Sequence, residues 1–192
     1  MIIHYLNEFT IKISEYTKYS PSSSDNINNY QAEIWLNEHE QNWTNPMYAS
    51  KYCIEIHNSN GFLMKVIVIG PNGRITSIGE RSTLIDDDNL ILIIGDFICS
   101  LSIPNLTINW KLGTPCITCF KLFKFDNAYL IHGEIEITKV SRKGLIEWSF
   151  SGRDVFVSPE GGNEFEIRDD LIYIHDWEKN LYILNKDGKL LN

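Results

Sequence analysis

The chain has 192 residues, 43% hydrophobic and 22% charged, a globular composition that excludes an intrinsically disordered protein. A chain of this length buries enough surface to hold a core without disulfides or metals. Acidic residues outnumber basic ones 25 to 17, giving a net charge of −8, which argues against nucleic acid or an anionic membrane as partner, since both are bound through excess Lys and Arg.

From the N-terminus, Met1 to Glu8 carries no basic n-region and no long apolar run, so it does not read as a secretory signal. The longest apolar stretches, Val66 to Ile69 and Leu90 to Ile94, fall far short of the roughly 20 residues that cross a bilayer. The expectation is a cytoplasmic protein. In that setting the acceptor patterns Asn42-Trp-Thr44 and Asn105-Leu-Thr107 carry no weight. Phe9 to Ile13 alternates apolar and polar residues, as a half-buried strand does. Tyr19 to Asn29 is a polar loop, and Gln31 to Leu36 reads as a strand. Glu38 to Ala49, with Trp43 and Pro46 inside it, is irregular and has room for one short helical turn.

Alternation continues through Phe62 to Val68, Glu134 to Thr138 and Glu164 to Ile167. Turn signals separate these runs: Asn60-Gly61, Pro71-Asn-Gly73, Lys143-Gly144, Gly161-Gly162 and Asp187-Gly188. Alanine, the best helix former, appears only at positions 32, 49 and 128. The expected fold is all-β and antiparallel, one domain over 1–192, with N-terminal strands in 1–51 and a repeat region in 52–192.

Four segments of that region share one pattern: Tyr52 to His57, Leu90 to Gly95, Ala128 to His132 and Leu171 to His175. Each is an apolar or alternating strand ending in Ile-His or Ile-Gly, followed by a small or acidic residue and a second strand. Three continue into a further strand ending in glycine: Arg74 to Gly79, Leu106 to Gly113 and Leu145 to Gly152. The marks at 57, 95, 132 and 175 give a period of about 40 residues, in the range of β-propeller blades. The runs Asp170 to Gly188 and Gly144 to Gly152 resemble the repeat of quinoprotein-type and related β-propellers. The four marks give about four hairpin or blade-like units, fewer than full propellers of this class carry, so a four-blade propeller, a sandwich-like arrangement and an open stack of hairpins are the alternatives, and no quinone cofactor is carried over with the resemblance. Trp148 to Val157 with Ile172-Tyr-Ile is similar to small bacterial proteins encoded beside polymorphic toxin genes, many of which are immunity proteins. This second resemblance implies a stable, non-enzymatic protein that plugs a basic toxin.

No GxSxG elbow, phosphate-binding glycine loop or HExxH is present, so no catalytic residue is assigned and no cofactor is expected. Cys116-Ile-Thr-Cys119 has the CxxC spacing, but Cys53 and Cys99 supply no second pair for zinc. The strand-like run Phe120 to Phe125 follows, rather than the helix that usually activates such a motif, so buried, unreactive thiols are expected. His57, His132 and His175 occupy equivalent repeat positions; converging, they could bind a metal, and separately they would be ordinary strand-end histidines. Glu134 and Glu136 fall on one strand face, as the paired carboxylates of a glycosidase do, but alternate exposed glutamates are commonplace on half-solvated sheets and that reading is preferred. Lys121, Lys124, Lys139, Arg142 and Lys143 could be imagined as a basic nucleic-acid face, which the overall acidity argues against.

The partner-binding residues expected are Asp86, Asp87, Asp88, Asp169, Asp170 and Trp177. The aspartates, in turns ahead of two repeat strands, would form an acidic rim that steers a basic partner. Trp177, in a hairpin turn, would anchor it, as Trp43 also could, whereas Trp110 and Trp148 match one another in the repeat and read as core. The reading is a non-enzymatic protein-binding module, most specifically a toxin-neutralising immunity protein; the alternative is a propeller-like domain for carbohydrate or another small ligand.

Overall fold

The computed structural model describes residues 1–21, 23–26, 29–40, 49–71, 76–157 and 164–192. The turn glycines Gly73, Gly161 and Gly162, and Trp43, lie outside them. The described residues form strands and a single 3-10 turn, Glu38–Glu40, where the sequence left room for one. Two compact units divide the chain, Met1–Gly113 and Thr114–Asn192.

In the first unit, β1 (Ile2–Leu6), β2 (Phe9–Glu15), β3 (Ala32–Trp35), β4 (Lys51–Asn58) and β5 (Gly61–Ile69) form one sheet, ordered β1-β2-β4-β5-β3. β6 (Thr83–Asp86), β7 (Asn89–Ile94), β8 (Phe97–Ser102) and β9 (Ile108–Gly113) form a meander in chain order. In the second unit, β10 (Cys119–Phe125), β11 (Ala128–Gly133), β12 (Glu136–Ser141) and β13 (Ile146–Ser151) form another meander. β14 (Phe165–Arg168), β15 (Leu171–His175) and β16 (Leu181–Leu184) complete a three-stranded sheet.

The four segments that mark the repeat are β4, β7, β11 and β15, and each is an interior strand with a partner on both sides. That position explains their composition. A strand covered on both faces reads as a continuous apolar run, and Leu90 to Ile94 is buried throughout. The outer strands repeat a finer detail. Ile108 pairs Leu101 and Trp110 pairs Ser100, so Asn109 bulges; Ile146 pairs Val140 and Trp148 pairs Lys139, so Glu147 bulges. An extra residue on an edge strand raises its local twist. Trp110 and Trp148 therefore do match, but both are half-buried, because they sit on outer strands instead of in the core.

Several two-residue loops are built without glycine. Asp126 and Asn127 (φ 46° and 56°) and Asp169 and Asp170 (φ 52° and 61°) are left-handed at both positions, as a type I′ hairpin requires. Asp and Asn tolerate this conformation better than other non-glycine residues, which accounts for their density at these turns.

In the first unit Ile11, Ile13, Tyr52, Ile54, Ile56, Val66 and Val68 of one sheet share a core with Leu90, Leu92, Ile94, Cys99 and Leu101 of the other. The opposite face of β4 and β5 carries Cys53, Ile67 and Ile69, packed with Tyr19 and Trp35. In the second unit Phe125, Leu130, Ile137 and Phe156 pack with Phe165, Ile172, Ile174, Tyr182 and Leu184.

The expected strand Arg74 to Gly79 is not formed over 76–79, and 74–75 lie outside the described residues. The outer edge of β5 is already taken by β3, which pairs with it in parallel from Ala32↔Val66 to Trp35↔Ile69. Thr76 instead bonds side chains and turns: its N–H donates to Ser50 Oγ (2.7 Å) and its Oγ1 accepts from the Gly95 N–H (2.9 Å).

Candidate functional site

Trp177 is 47% exposed, a little less than Phe62 at 50%, and its turn is closed by hydrogen bonds. The turn follows β15 and is organised by Asp176, which is itself buried. The Asp176 carboxylate accepts from the Asn180 N–H at 2.9 Å, from Asn180 Nδ2 at 3.2 and 3.0 Å, and from the Tyr182 hydroxyl at 2.8 Å. Burial alone would raise this carboxyl; the donors from Asn180 and Tyr182 outweigh it and hold the group below the usual range. The Lys179 N–H closes the turn on Asp176 O at 2.9 Å, with Lys179 in the left-handed region (φ 68°).

Beside this turn lies an open recess of about 320 Å³ lined by Ile135, Ser151, Gly152, Arg153, Asp154 and Val155. Two bonds fix it to the turn. The Trp177 N–H donates to Val155 O at 2.8 Å. The Arg153 N–H donates to Tyr182 Oη at 3.0 Å, and the same hydroxyl donates to Asp176. Gly152 allows the approach: a Cβ there would stand 2.6 Å from Phe156 Cε1 and 3.3 Å from Tyr182 Cε2. The backbone of the Trp177 turn and the floor of the recess are thus parts of one hydrogen-bonded frame.

The aspartates are distributed differently from the expected rim. Asp86 is a correction: as the last residue of β6 it is 1% exposed and does not present its carboxylate to a partner. Asp87 and Asp88 form the exposed β6–β7 loop. Asp169 and Asp170 form the exposed β14–β15 loop, next to Arg168, whose guanidinium lies over the Tyr173 ring at 4.5 Å. Within the second unit Trp177 and the Asp169–Asp170 pair stand at opposite ends of the five-residue β15, about 16 Å of strand apart, and do not form one patch.

No family model matches the chain, and no curated protein matches it. Among solved structures it is similar to BamB from Moraxella catarrhalis, with a TM-score of 0.52 and 14% identity, over 100% of this chain and 60% of that one. At that identity the likeness is one of fold. It supports the β-propeller-type repeat, and no comparison carries the resemblance to immunity proteins. The chain spans about three-fifths of the length of the structure it matches.

The remaining candidates separate by environment. His57, in the first unit, is half-buried and lies 3.3 Å from Glu55 Oε2. His132 is fully buried and His175 is exposed, so equivalent repeat positions have three different surroundings. Among the described residues no three His, Cys, Asp or Glu are grouped so as to hold a metal ion. Glu136 opens β12 and accepts from Ser151 Oγ at 3.0 Å, whereas Glu134 lies in the preceding turn, so the two do not share a strand face. Two of the lysines considered for a basic face are neutralised: Lys121 pairs with Glu164 at 3.0 Å, and buried Lys139 with Asp126 at 3.0 Å and Glu147 at 3.2 Å. Asp176, Tyr182 and Arg153 escaped the sequence reading. The only signal was Asp176 four residues ahead of Asn180, a spacing that suits a side-chain-capped turn.

Proposed function

We propose that this chain is a non-enzymatic protein-binding module of propeller-type fold that docks its partner on Trp177 and the adjoining Arg153–Val155 recess. The observation that carries the reading is the exposed, prebuilt Trp177 turn. An exposed aromatic on a hydrogen-bonded turn beside a concave surface is a common form of interaction hot spot. The finer reading is that the partner is basic, such as a toxin that this chain neutralises by occlusion. Its support is the net charge of −8 and the exposed carboxylates of Asp87, Asp88, Asp169 and Asp170, which would raise the association rate.

The test is capture of partners from native cells by the tagged chain at low and high salt, repeated with Trp177→Ala. The expected result is one basic protein, released by salt, whose affinity for Trp177→Ala falls at least about tenfold, the loss typical of a hot-spot residue. The variant should melt with the wild type, because the ring is exposed. Equal capture by both forms removes the docking assignment.

One observation favours a second reading. Arg153 and Asp154 supply charged hydrogen-bonding groups to the recess next to the Trp177 turn, polar components that a carbohydrate or small-ligand site requires. Quenching of Trp177 fluorescence by a soluble glycan, lost in Trp177→Phe, would replace the protein partner with this ligand class.

A further inference from the structure

Cys116 and Cys119 lie in the segment that leads from Thr114 into β10 and are 1% and 3% exposed. Neither is in a disulfide. The Cys119 thiol hydrogen-bonds the Cys116 sulfur, so the two sulfurs are direct neighbours. Cys116 Sγ also lies 3.7 Å from Thr138 Oγ1 and 3.6 Å from Glu136 O, while Cys119 Sγ lies 3.4 Å from Thr114 Oγ1. Room for the pair comes from the strand opposite. At Gly133 a Cβ would stand 2.5 Å from Cys116 Sγ and 2.8 Å from its Cβ, so the sulfur fills the space that a side chain on β11 would need.

The four cysteines are not alike. Burial pushes Cys53 up and Cys99 up to about 12, toward inert thiols. Cys116 is moved down, first by the Cys119 hydrogen bond and then, against burial and the Glu136 charge, by the Thr138 and Thr114 hydroxyls. Such donors stabilise the thiolate, which is the reactive form.

We propose that Cys116 and Cys119 are a reversible dithiol–disulfide pair, oxidised by hydrogen peroxide through Cys116. The Cys116 thiolate attacks one peroxide oxygen. An S–O bond forms, the O–O bond breaks, and hydroxide leaves to be protonated as water. The sulfur is oxidised by two electrons to sulfenic acid and the peroxide is reduced by two. The Cys119 sulfur then attacks Cys116; the S–S bond forms, the S–O bond breaks, and the hydroxyl departs with the Cys119 proton as a second water. A small-molecule dithiol reverses the change by thiol–disulfide exchange.

The experiment uses the full chain, reduced, freed of reductant and exposed to hydrogen peroxide. Trypsin cleaves after Lys111 and Lys121, so one peptide, 112–121, holds both cysteines. The expected product is that peptide lighter by two hydrogens, restored by dithiothreitol, with Cys53 and Cys99 still reduced. In Cys119→Ser the reaction stops at a sulfenic acid on Cys116 that dimedone traps; in Cys116→Ser, Cys119 stays unmodified. The proposal is overturned if thiols disappear without the lighter peptide, or if Cys119 in Cys116→Ser is oxidised as fast as Cys116 is in the wild type. Should either variant not fold, the wild-type peptide alone decides.

Discussion

His132 is a histidine whose protonation state is fixed by its neighbours. Its Nε2 lies 3.0 Å from Phe156 O, a group that can only accept, so Nε2 carries the proton. Nδ1 is then a bare acceptor, and it is buried without a hydrogen-bond partner. The ring is stacked on Phe165 at 5.1 Å and meets Phe120 edge-on at 5.9 Å. Burial pushes the imidazole down to about 4, and the Phe156 carbonyl only partly opposes this. An unfolded imidazole titrates near 6.5, so the unfolded chain takes up this proton first. The stability involved is complete above about pH 6.5 and falls, by up to ~1.4 kcal/mol per pH unit, as the pH drops toward 4. Urea denaturation across that range should show the wild type losing this increment while His132→Phe, which cannot titrate, does not. A gap between the two that stays constant with pH would assign the acid sensitivity elsewhere. At this scale the sequence was an uneven guide. Asp86 and Asp87 are adjacent and chemically identical, yet one is buried and the other exposed, because the strand ends between them. Composition carries no record of such an alternation in an acidic run, whereas Trp177 in a polar turn could be singled out from its neighbours.

Among the elements, the β15–β16 turn and the hairpin after β16 are the most sensitive. Replacing Asp176 with alanine leaves the Asn180 amide and the Tyr182 hydroxyl without their acceptor, at a cost of about 2 kcal/mol. If the turn positions Trp177, Asp176→Ala also weakens partner capture although the indole is still present; thermal melts and the capture assay read the two effects separately. Gly188 is left-handed (φ 74°) and faces Trp148, with a would-be Cβ only 2.5 Å from Cδ2 of that ring. Gly188→Ala therefore combines backbone strain with overpacking, and about 2 kcal/mol or more of stability should be lost in denaturant titration. The interior strands β4, β7, β11 and β15 were legible because double burial writes itself as an apolar run bounded by turn residues. The parallel pairing of β3 with β5 was not, since alternation shows that a segment is a strand and says nothing about its partner. That silence is why Arg74 to Gly79 was expected in a place that β3 occupies.

Over the whole molecule the dominant long-range property is its charge. An excess of eight negative charges repels other acidic surfaces and attracts basic ones, an effect screened over about 8 Å at physiological salt. For a basic partner, association should slow steeply with ionic strength while dissociation changes little. Asp87→Lys with Asp88→Lys should lower the association rate several-fold in stopped-flow mixing without moving the melting point; an unchanged rate would take that loop out of the encounter. The two exposed aspartate loops lie in different units, and within the second unit Trp177 is at the far end of β15 from one of them. Within the second unit, therefore, the Asp169–Asp170 loop and Trp177 do not form one patch.

The order of strands also has a consequence in time. In three of the four sheets each strand bonds the one made just before it, so a hairpin can close within a few residues of leaving the ribosome. The first sheet is different, because β3 waits for β5 and its partner residues, Val66 to Ile69, follow some thirty residues later. During that interval Trp35 has no sheet to cover it. A nascent chain paused before residue 66 should be cut readily by protease near β3, and one paused well beyond it should resist, making this early segment the last part of its sheet to become safe from degradation and from chaperone capture.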